Sequence, residues 1–142
     1  MKTQFVVAID PGSAKCGIAV VRSDKVVLWQ SVVLKEALVN EVKRLIETYE
    51  PTALVLGSGT GSRPILATLR SAELATPLLL VPEAYTTLLA RERYVNTHPP
   101  KGWQRLLPRS LRTPPVPLDD YVAIILGERY WDGIGMGEGE LF

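Results

Sequence analysis

Four acidic residues stand where distant segments of this sequence could bring carboxylates together. Asp10 ends the first apolar run of the chain, and Glu83 follows a later one. Asp119 and Asp120 open a helical pattern near the end. Taken alone, each acid is more simply explained as a helix cap or as part of a solvated turn. Together they form a set of hard oxygen ligands that favours Mg²⁺ or Mn²⁺, ions that activate water for phosphodiester hydrolysis.

The elements that must position these acids follow the order β-β-β-α-β-α-β-α, then a loop and a last helix. The hydrophobic patterns predict strands at 5–9, 17–22, 25–33, 53–56 and 78–81, and helices at 35–50, 64–75, 85–94 and 118–131. This order predicts an α/β fold with a mixed five-stranded sheet and helices on both faces. The first three strands form an antiparallel meander, and the other two are parallel. Asp10 and Glu83 are then expected at the carboxyl ends of strands, where reactive residues cluster in such sheets.

Length and composition limit the class of protein. The chain has 142 residues, of which 46% are hydrophobic and 22% are charged, so we expect a single domain over 1–142. One cysteine and one histidine argue against a disulfide framework and against a zinc site. No apolar stretch approaches the roughly 18 to 20 residues that span a bilayer. With no signal-peptide pattern, the sequence predicts a cytoplasmic protein that does not contact membranes.

Charge is distributed unevenly along the second half of the chain. Six cations and one acid fall within 91–117, whereas six acids and one cation fall within 118–142. We interpret 96–117 as a proline-rich basic insertion and 132–142 as a loose tail rich in glycine and acids. A basic stretch beside an acidic cluster is typical of a polyanion held near a metal, although a solvated loop has the same pattern.

Nine residues are candidates for binding nucleic acid. In the basic insertion, cations could contact phosphates while Trp103 stacks on a base, or Trp103 could anchor the loop while the cations face water. The glycine loop 57–62 and Arg63 could bind a phosphate, or simply connect a strand to a helix. The hydroxyls of Thr86 and Thr87 could donate to phosphate or to the local backbone. The nine are Lys15, Arg63, Thr86, Thr87, Lys101, Trp103, Arg105, Arg109 and Arg112.

Several segments resemble motifs of the RuvC/YqgF nucleases, which have the RNase H-like fold. Residues 8–20 (AIDPGSAKCGIAV) are similar to the first-strand motif, in which an aspartate ends a strand before a glycine-containing turn. Residues 81–87 (VPEAYTT) are similar to the YqgF motif DERLTT, and 118–126 to the last helix of the family. Residues 55–57 match the central strand and its following glycine.

This resemblance implies a metal-dependent nuclease that acts on structured nucleic acid with Mg²⁺ or Mn²⁺. It assigns metal binding and catalysis to Asp10, Glu83 and Asp119, with Asp120 as an assisting or alternative ligand. The implied substrate is either the 5′ end of precursor 16S ribosomal RNA or branched DNA of the Holliday-junction kind. We expect a monomer or a weak homodimer.

The sequence departs from the YqgF motif on both sides of the second acid. Pro82 stands in place of an acid, and Ala84 stands in place of an arginine. The metal-binding acids are kept, but the substrate or the rate is put in doubt. The alternative hypothesis is therefore a catalytically inactive nucleic-acid-binding protein on the same fold.

Overall fold

The computed structural model of the protein describes residues 3–59, 61–83, 86–97 and 119–133. Within these ranges, the strands and helices follow the predicted order. The strands are β1 (Phe5–Asp10), β2 (Lys15–Arg22), β3 (Val27–Leu34), β4 (Ala53–Gly57) and β5 (Leu78–Val81). The helices are α1 (Leu38–Tyr49), α2 (Ser62–Ser71), α3 (Thr86–Thr97) and α4 (Asp119–Asp132).

The ends of two helices differ from the prediction for local reasons. The expected helix over 35–50 begins as a short 3₁₀ turn at Lys35–Ala37 and becomes α-helical only at Leu38. It ends because Glu50 adopts a left-handed φ of 48° before a proline. Helix α2 stops at Ser71, earlier than predicted, and Glu73 takes up a φ of 51° just beyond it. Both changes lie away from the acids.

The sheet has the predicted mixture of antiparallel and parallel strands, in the order β3-β2-β1-β4-β5. Strand β2 pairs antiparallel with β1 and β3, whereas β4 pairs parallel with β1 and β5. Ile9 lies opposite Leu56, and Gly57 lies opposite Val81. This register puts the carboxyl ends of β1, β4 and β5 at one edge of the sheet, so Asp10 and the residues after Val81 share that edge.

Each face of the sheet is covered by helices, as predicted. Helices α1 and α2 pack Leu38, Leu45 and Ile65 on one face, against a cluster that includes Ile9 and Ile18. Helices α3 and α4 pack on the other face, where α4 buries a continuous run from Val122 to Gly127. The sequences of β1 and β4 are apolar at nearly every position because helices cover both faces of these strands. None of the described helices is long and apolar enough to span a membrane.

Helix α4 lies unusually close to β1 and β2 because small residues line the contact. A Cβ added at Gly127 would lie 2.6 Å from Cγ2 of Val21 and 3.5 Å from Cβ of Ala8. At the other end of the helix, a Cβ at Gly17 would overlap with the backbone carbonyl of Asp119. The indole N–H of Trp131 donates to the carbonyl of Val21 at 3.1 Å. The helix is therefore fixed in position along its whole length, with its first turn at the edge that holds Asp10.

We expect Gly127→Ala to destabilise the fold by about 2 kcal/mol, because the added methyl overpacks the contact with Val21. At an exposed helix position, the same change would stabilise by about 1 kcal/mol. Urea unfolding of Gly127→Ala, Val21→Ala and the double variant measures the coupling between the two positions. The cost of Gly127→Ala should fall in the Val21→Ala background, and an unchanged cost would show that the close contact is not what excludes a side chain.

Candidate active site

The carboxyls of Asp10 and Glu83 meet at the edge where β1 and β5 end. Asp10 is the last residue of β1, and Glu83 comes two residues after β5. The two side chains are within hydrogen-bonding reach of each other, with the Asp10 carboxyl as the donor when it is protonated. Residues that are far apart in sequence therefore form one acidic pair, as the strand ends predicted.

Burial raises the pKa values of both carboxyls of this pair, and neighbouring negative charges raise that of Asp10 further. The pKa of Asp10 rises from 3.8 to about 8, first because the group is buried and then because of the negative charges of Glu83 and Asp119. Burial also raises the pKa of Glu83, while hydrogen bonds from Asp10 and from the backbone of Gly59 act in the opposite direction. Because two charged carboxylates in contact repel each other, the pair keeps one proton at neutral pH.

The glycine loop after β4 surrounds the carboxylate of Glu83. A Cβ added at Gly57 would overlap with Oε1 of Glu83, and one added at Gly59 would overlap with Oε2. The sequence allowed this loop to be a phosphate site or a simple connection, and it did not suggest a third role, that of holding a carboxylate. A side chain at Gly57 or Gly59 would fit only if the Glu83 carboxylate moved, so the two glycines allow the carboxylate to lie where it does.

One oxygen of Glu83 is left without a partner. Oε1 is buried and accepts no hydrogen bond from the described residues. An unpartnered buried oxygen is costly, so it marks a place where a proton or a cation would be stabilising.

The structure separates the roles of Asp119 and Asp120. Asp119, in the first turn of α4, is close enough to Asp10 for its charge to raise the pKa of that group. The pKa of Asp119 is itself raised by burial and by the charge of Asp120, and it is lowered by Lys15. Asp120 instead accepts a hydrogen bond from the side-chain amide of Gln30 at 2.9 Å. Of the two acids, Asp119 is the one that acts on the Asp10–Glu83 pair.

The chemistry of these groups suits a hard divalent cation, but their arrangement is not that of a complete metal site. Their donors are all carboxylate oxygens, and Oε1 of Glu83 is buried and unpartnered. Over the described ranges, no group of three or more Asp, Glu, His or Cys side chains is arranged to hold a metal ion. Asp10 and Glu83 therefore place two carboxyls together, with Asp119 near enough for its charge to act on Asp10.

The structure describes three of the other predicted binding residues, and the rest lie partly or wholly outside the described residues. Lys15 begins β2 and is exposed near Asp119, and Arg63 is exposed in the first turn of α2. Thr86 is buried, and its hydroxyl donates to the Glu83 carbonyl at 2.8 Å, which is the local backbone bond that the sequence allowed. Thr87 lies in α3, but its side chain is outside the description. Lys101, Trp103, Arg105, Arg109 and Arg112 also lie outside the described residues, as do nearly all of the predicted insertion and tail.

Known structures resemble this arrangement of strands and helices over nearly the whole chain. Thermus thermophilus RuvC in complex with a Holliday junction substrate has a TM-score of 0.64 and 18% identity, covering 98% of this chain and 99% of that one. The chain has the RNase H-like fold of RuvC. A second Thermus thermophilus RuvC structure has a TM-score of 0.60 and 14% identity, covering 98% of this chain and 100% of that one. No protein-family model and no curated protein matches the sequence. The predicted fold class is confirmed, and at these identities the likeness is one of fold.

We expect Asp10→Asn to stabilise the metal-free protein at pH 8 by about 1 to 3 kcal/mol, since each pKa unit corresponds to about 1.4 kcal/mol and the acidic pair shares one proton. The folded-state pKa of Asp10, about 8, lies above its ordinary value of 3.8, so the folded protein binds more protons between these pH values. The free energy of unfolding of the native protein must then fall as the pH rises through that window. Urea unfolding in EDTA at pH 5 and pH 8 measures the difference.

Asp24→Asn is the matched control, because Asp24 is an exposed acid whose pKa is lowered by its hydrogen bond from Arg22. That variant should gain no stability at pH 8. If Asp10→Asn changed the free energy of unfolding equally at both pH values, the raised pKa of Asp10 would be wrong.

We expect Gly59→Ala to displace the Glu83 carboxylate and to reduce the rise in melting temperature that Mn²⁺ produces. Gly61→Ala is the control, since a Cβ there meets nothing closer than the Pro11 carbonyl at 3.2 Å. Thermal unfolding with and without Mn²⁺ compares the two variants. Equal responses to Mn²⁺ in both would mean that the loop does not support the acidic pair.

Proposed function

We propose that the protein is a metal-dependent nuclease that hydrolyses phosphodiester bonds in structured nucleic acid. The observation that carries this proposal is the convergence of Asp10, Glu83 and Asp119 at one edge of the sheet, with a buried Glu83 oxygen that lacks a partner. The likeness to a RuvC structure bound to a Holliday junction supports branched DNA as the first substrate to test.

Asp10 and Glu83 would hold Mg²⁺ or Mn²⁺, and Asp119 would approach as the third ligand. When bound, the ion supplies an activated water and neutralises charge on the phosphate. Asp10 and Glu83 would have to give up their shared proton in order to hold the cation, because ligating carboxylates are charged. Asp120 stays bonded to Gln30 and assists only through its charge on Asp119.

Nucleic acid would approach this edge of the sheet from the side where cations are exposed. Lys15 lies beside Asp119, and Arg63 follows the glycine loop that holds Glu83. Their charges suit phosphates next to the one that is cleaved. Lys101, Trp103, Arg105, Arg109 and Arg112 are proposed to extend this contact along the strand.

A YqgF-like role in processing the 5′ end of precursor 16S ribosomal RNA is the second substrate hypothesis. It rests on the similarity of residues 81–87 and 118–126 to the YqgF motifs. Both hypotheses use the same acids and differ only in the nucleic acid that is bound.

A catalytically inactive nucleic-acid-binding protein is the second candidate function, and one observation favours it. Within the described ranges, the acids are not arranged as a complete metal site. On this hypothesis, the acidic pair keeps its proton and nucleic acid binds without being cleaved.

We expect metal-dependent cleavage of a labelled four-way DNA junction or a precursor 16S ribosomal RNA. Asp10→Asn and Glu83→Gln should each lower the rate about 100-fold or more, because stabilisation by the metal amounts to several kcal/mol and each 1.4 kcal/mol changes a rate about tenfold. Rates are measured with Mg²⁺, with Mn²⁺ and with EDTA.

Asp24→Asn again serves as the control, because it removes an exposed acid that pairs with Arg22 away from the site. The preferred substrate distinguishes the DNA hypothesis from the RNA hypothesis. Binding of either nucleic acid without cleavage, or cleavage that persists in Asp10→Asn, would overturn the nuclease proposal.

A further inference from the structure

The backbone of the turn that carries Glu83 is held by hydrogen bonds on both sides. The carbonyl of Val81 accepts the N–H of Ser58 at 3.0 Å, which joins the end of β5 to the loop after β4. The carbonyl of Glu83 accepts both the N–H of Thr86 at 3.0 Å and its hydroxyl at 2.8 Å, which joins the turn to the start of α3. These donors are all close to the turn, either in the same segment or on the neighbouring strand's loop.

The carbonyl between these two, that of Pro82, is bound by a residue near the end of α4. Pro82 has no N–H, so its carbonyl is its one backbone hydrogen-bonding group. Nη1 of Arg129, in the last turns of α4, donates to that carbonyl at 2.6 Å in a partly buried setting. We propose that Arg129 is a positioning residue of the candidate active site, because its bond to Pro82 fixes the turn that presents Glu83 to Asp10.

Such an anchor matters most once the pair has lost its shared proton, because repulsion then acts on the turn that carries Glu83. When Asp10 and Glu83 are both charged, each pushes the other away, and the push is stronger where water is excluded. A hydrogen bond from a guanidinium is stronger than one between neutral groups, and the five N–H groups of arginine keep a fixed geometry. Arg129 therefore opposes the displacement of Glu83 through the backbone of the turn.

Helix α4 thereby contributes to the site from both of its ends. Its first turn supplies Asp119, whose charge reaches Asp10, and its last turns supply Arg129. Because Gly17 and Gly127 allow the helix to lie directly on the sheet, the positions of these two residues are linked through one rigid element.

Arg93 provides a matched control for this role. Its Nη1 donates to Oε2 of Glu128 at 2.7 Å, so it joins α3 to α4 beside Arg129. Arg93→Met removes a partly buried cation from the same helix interface but leaves the donor to the Pro82 carbonyl in place. Arg129→Met removes that donor and keeps an apolar side chain in its position.

Three measurements on the full chain test the proposal. The first is independent of the proposed function, whereas the second rests on its metal site and the third on its reaction. Arg129→Met should speed amide hydrogen exchange at Thr86 about fivefold or more and weaken binding of Mn²⁺, titrated alone by calorimetry, about tenfold. On the cleaved nucleic acid it should lower kcat about tenfold and leave KM within about twofold. Arg93→Met should change each quantity by less than about twofold.

The proposal is overturned if Arg129→Met shifts exchange and Mn²⁺ binding no more than Arg93→Met does. If the native protein cleaves nothing, the nuclease proposal fails, but the first two measurements still decide the role of Arg129. If Arg129→Met does not fold, Arg129→Lys takes its place. Faster amide hydrogen exchange at Thr86 in Arg129→Lys then supports the positioning role of Arg129, and exchange at the native rate overturns it.

Discussion

The contact between Asp10 and Glu83 is the constraint to which the rest of the structure adapts. Two buried carboxyls cannot both be charged at contact distance without a proton or a cation between them, and the pKa of about 8 at Asp10 expresses that cost. The fold nevertheless brings them together, because the parallel strands β1, β4 and β5 all end at this edge. Glycines in the surrounding backbone leave room for the two carboxyls.

The backbone around the acids comes close to them because several of its residues are glycines. Gly57 and Gly59 let the loop after β4 close over Glu83, while Gly17 lets the first turn of α4 rest on β2 beside Asp10. A larger side chain at any of these positions would separate the acids. In the same loop, Oε1 of Glu83 is buried and has no hydrogen-bond partner among the described residues.

Much of this arrangement could be predicted from the sequence, and the part that could not depends on long-range side-chain contacts. Strand ends and parallel pairing follow from the apolar runs, so the meeting of Asp10 and Glu83 was predictable. The pattern does not show which carboxylate a glycine loop will enclose, since that depends on how β4 and β5 pair in three dimensions. Gln30 and Arg129 were missed because their partners, Asp120 and Pro82, are brought close only by the packing of α4.

The position of Asp119 is what separates the two candidate functions on this fold. Without a cation, the charge of Asp119 adds to the effects of burial and of Glu83 that favour the protonated form of Asp10. A divalent cation reverses the sign of this interaction, because each carboxylate is then drawn to the ion more strongly than it is repelled by its neighbours. Gly17 and Gly127 let α4 lie directly on the sheet, so any displacement of its first turn would work against this packing. The nuclease proposal therefore requires that the charge of the ion, together with the phosphate it binds, outweigh the packing of one helical turn.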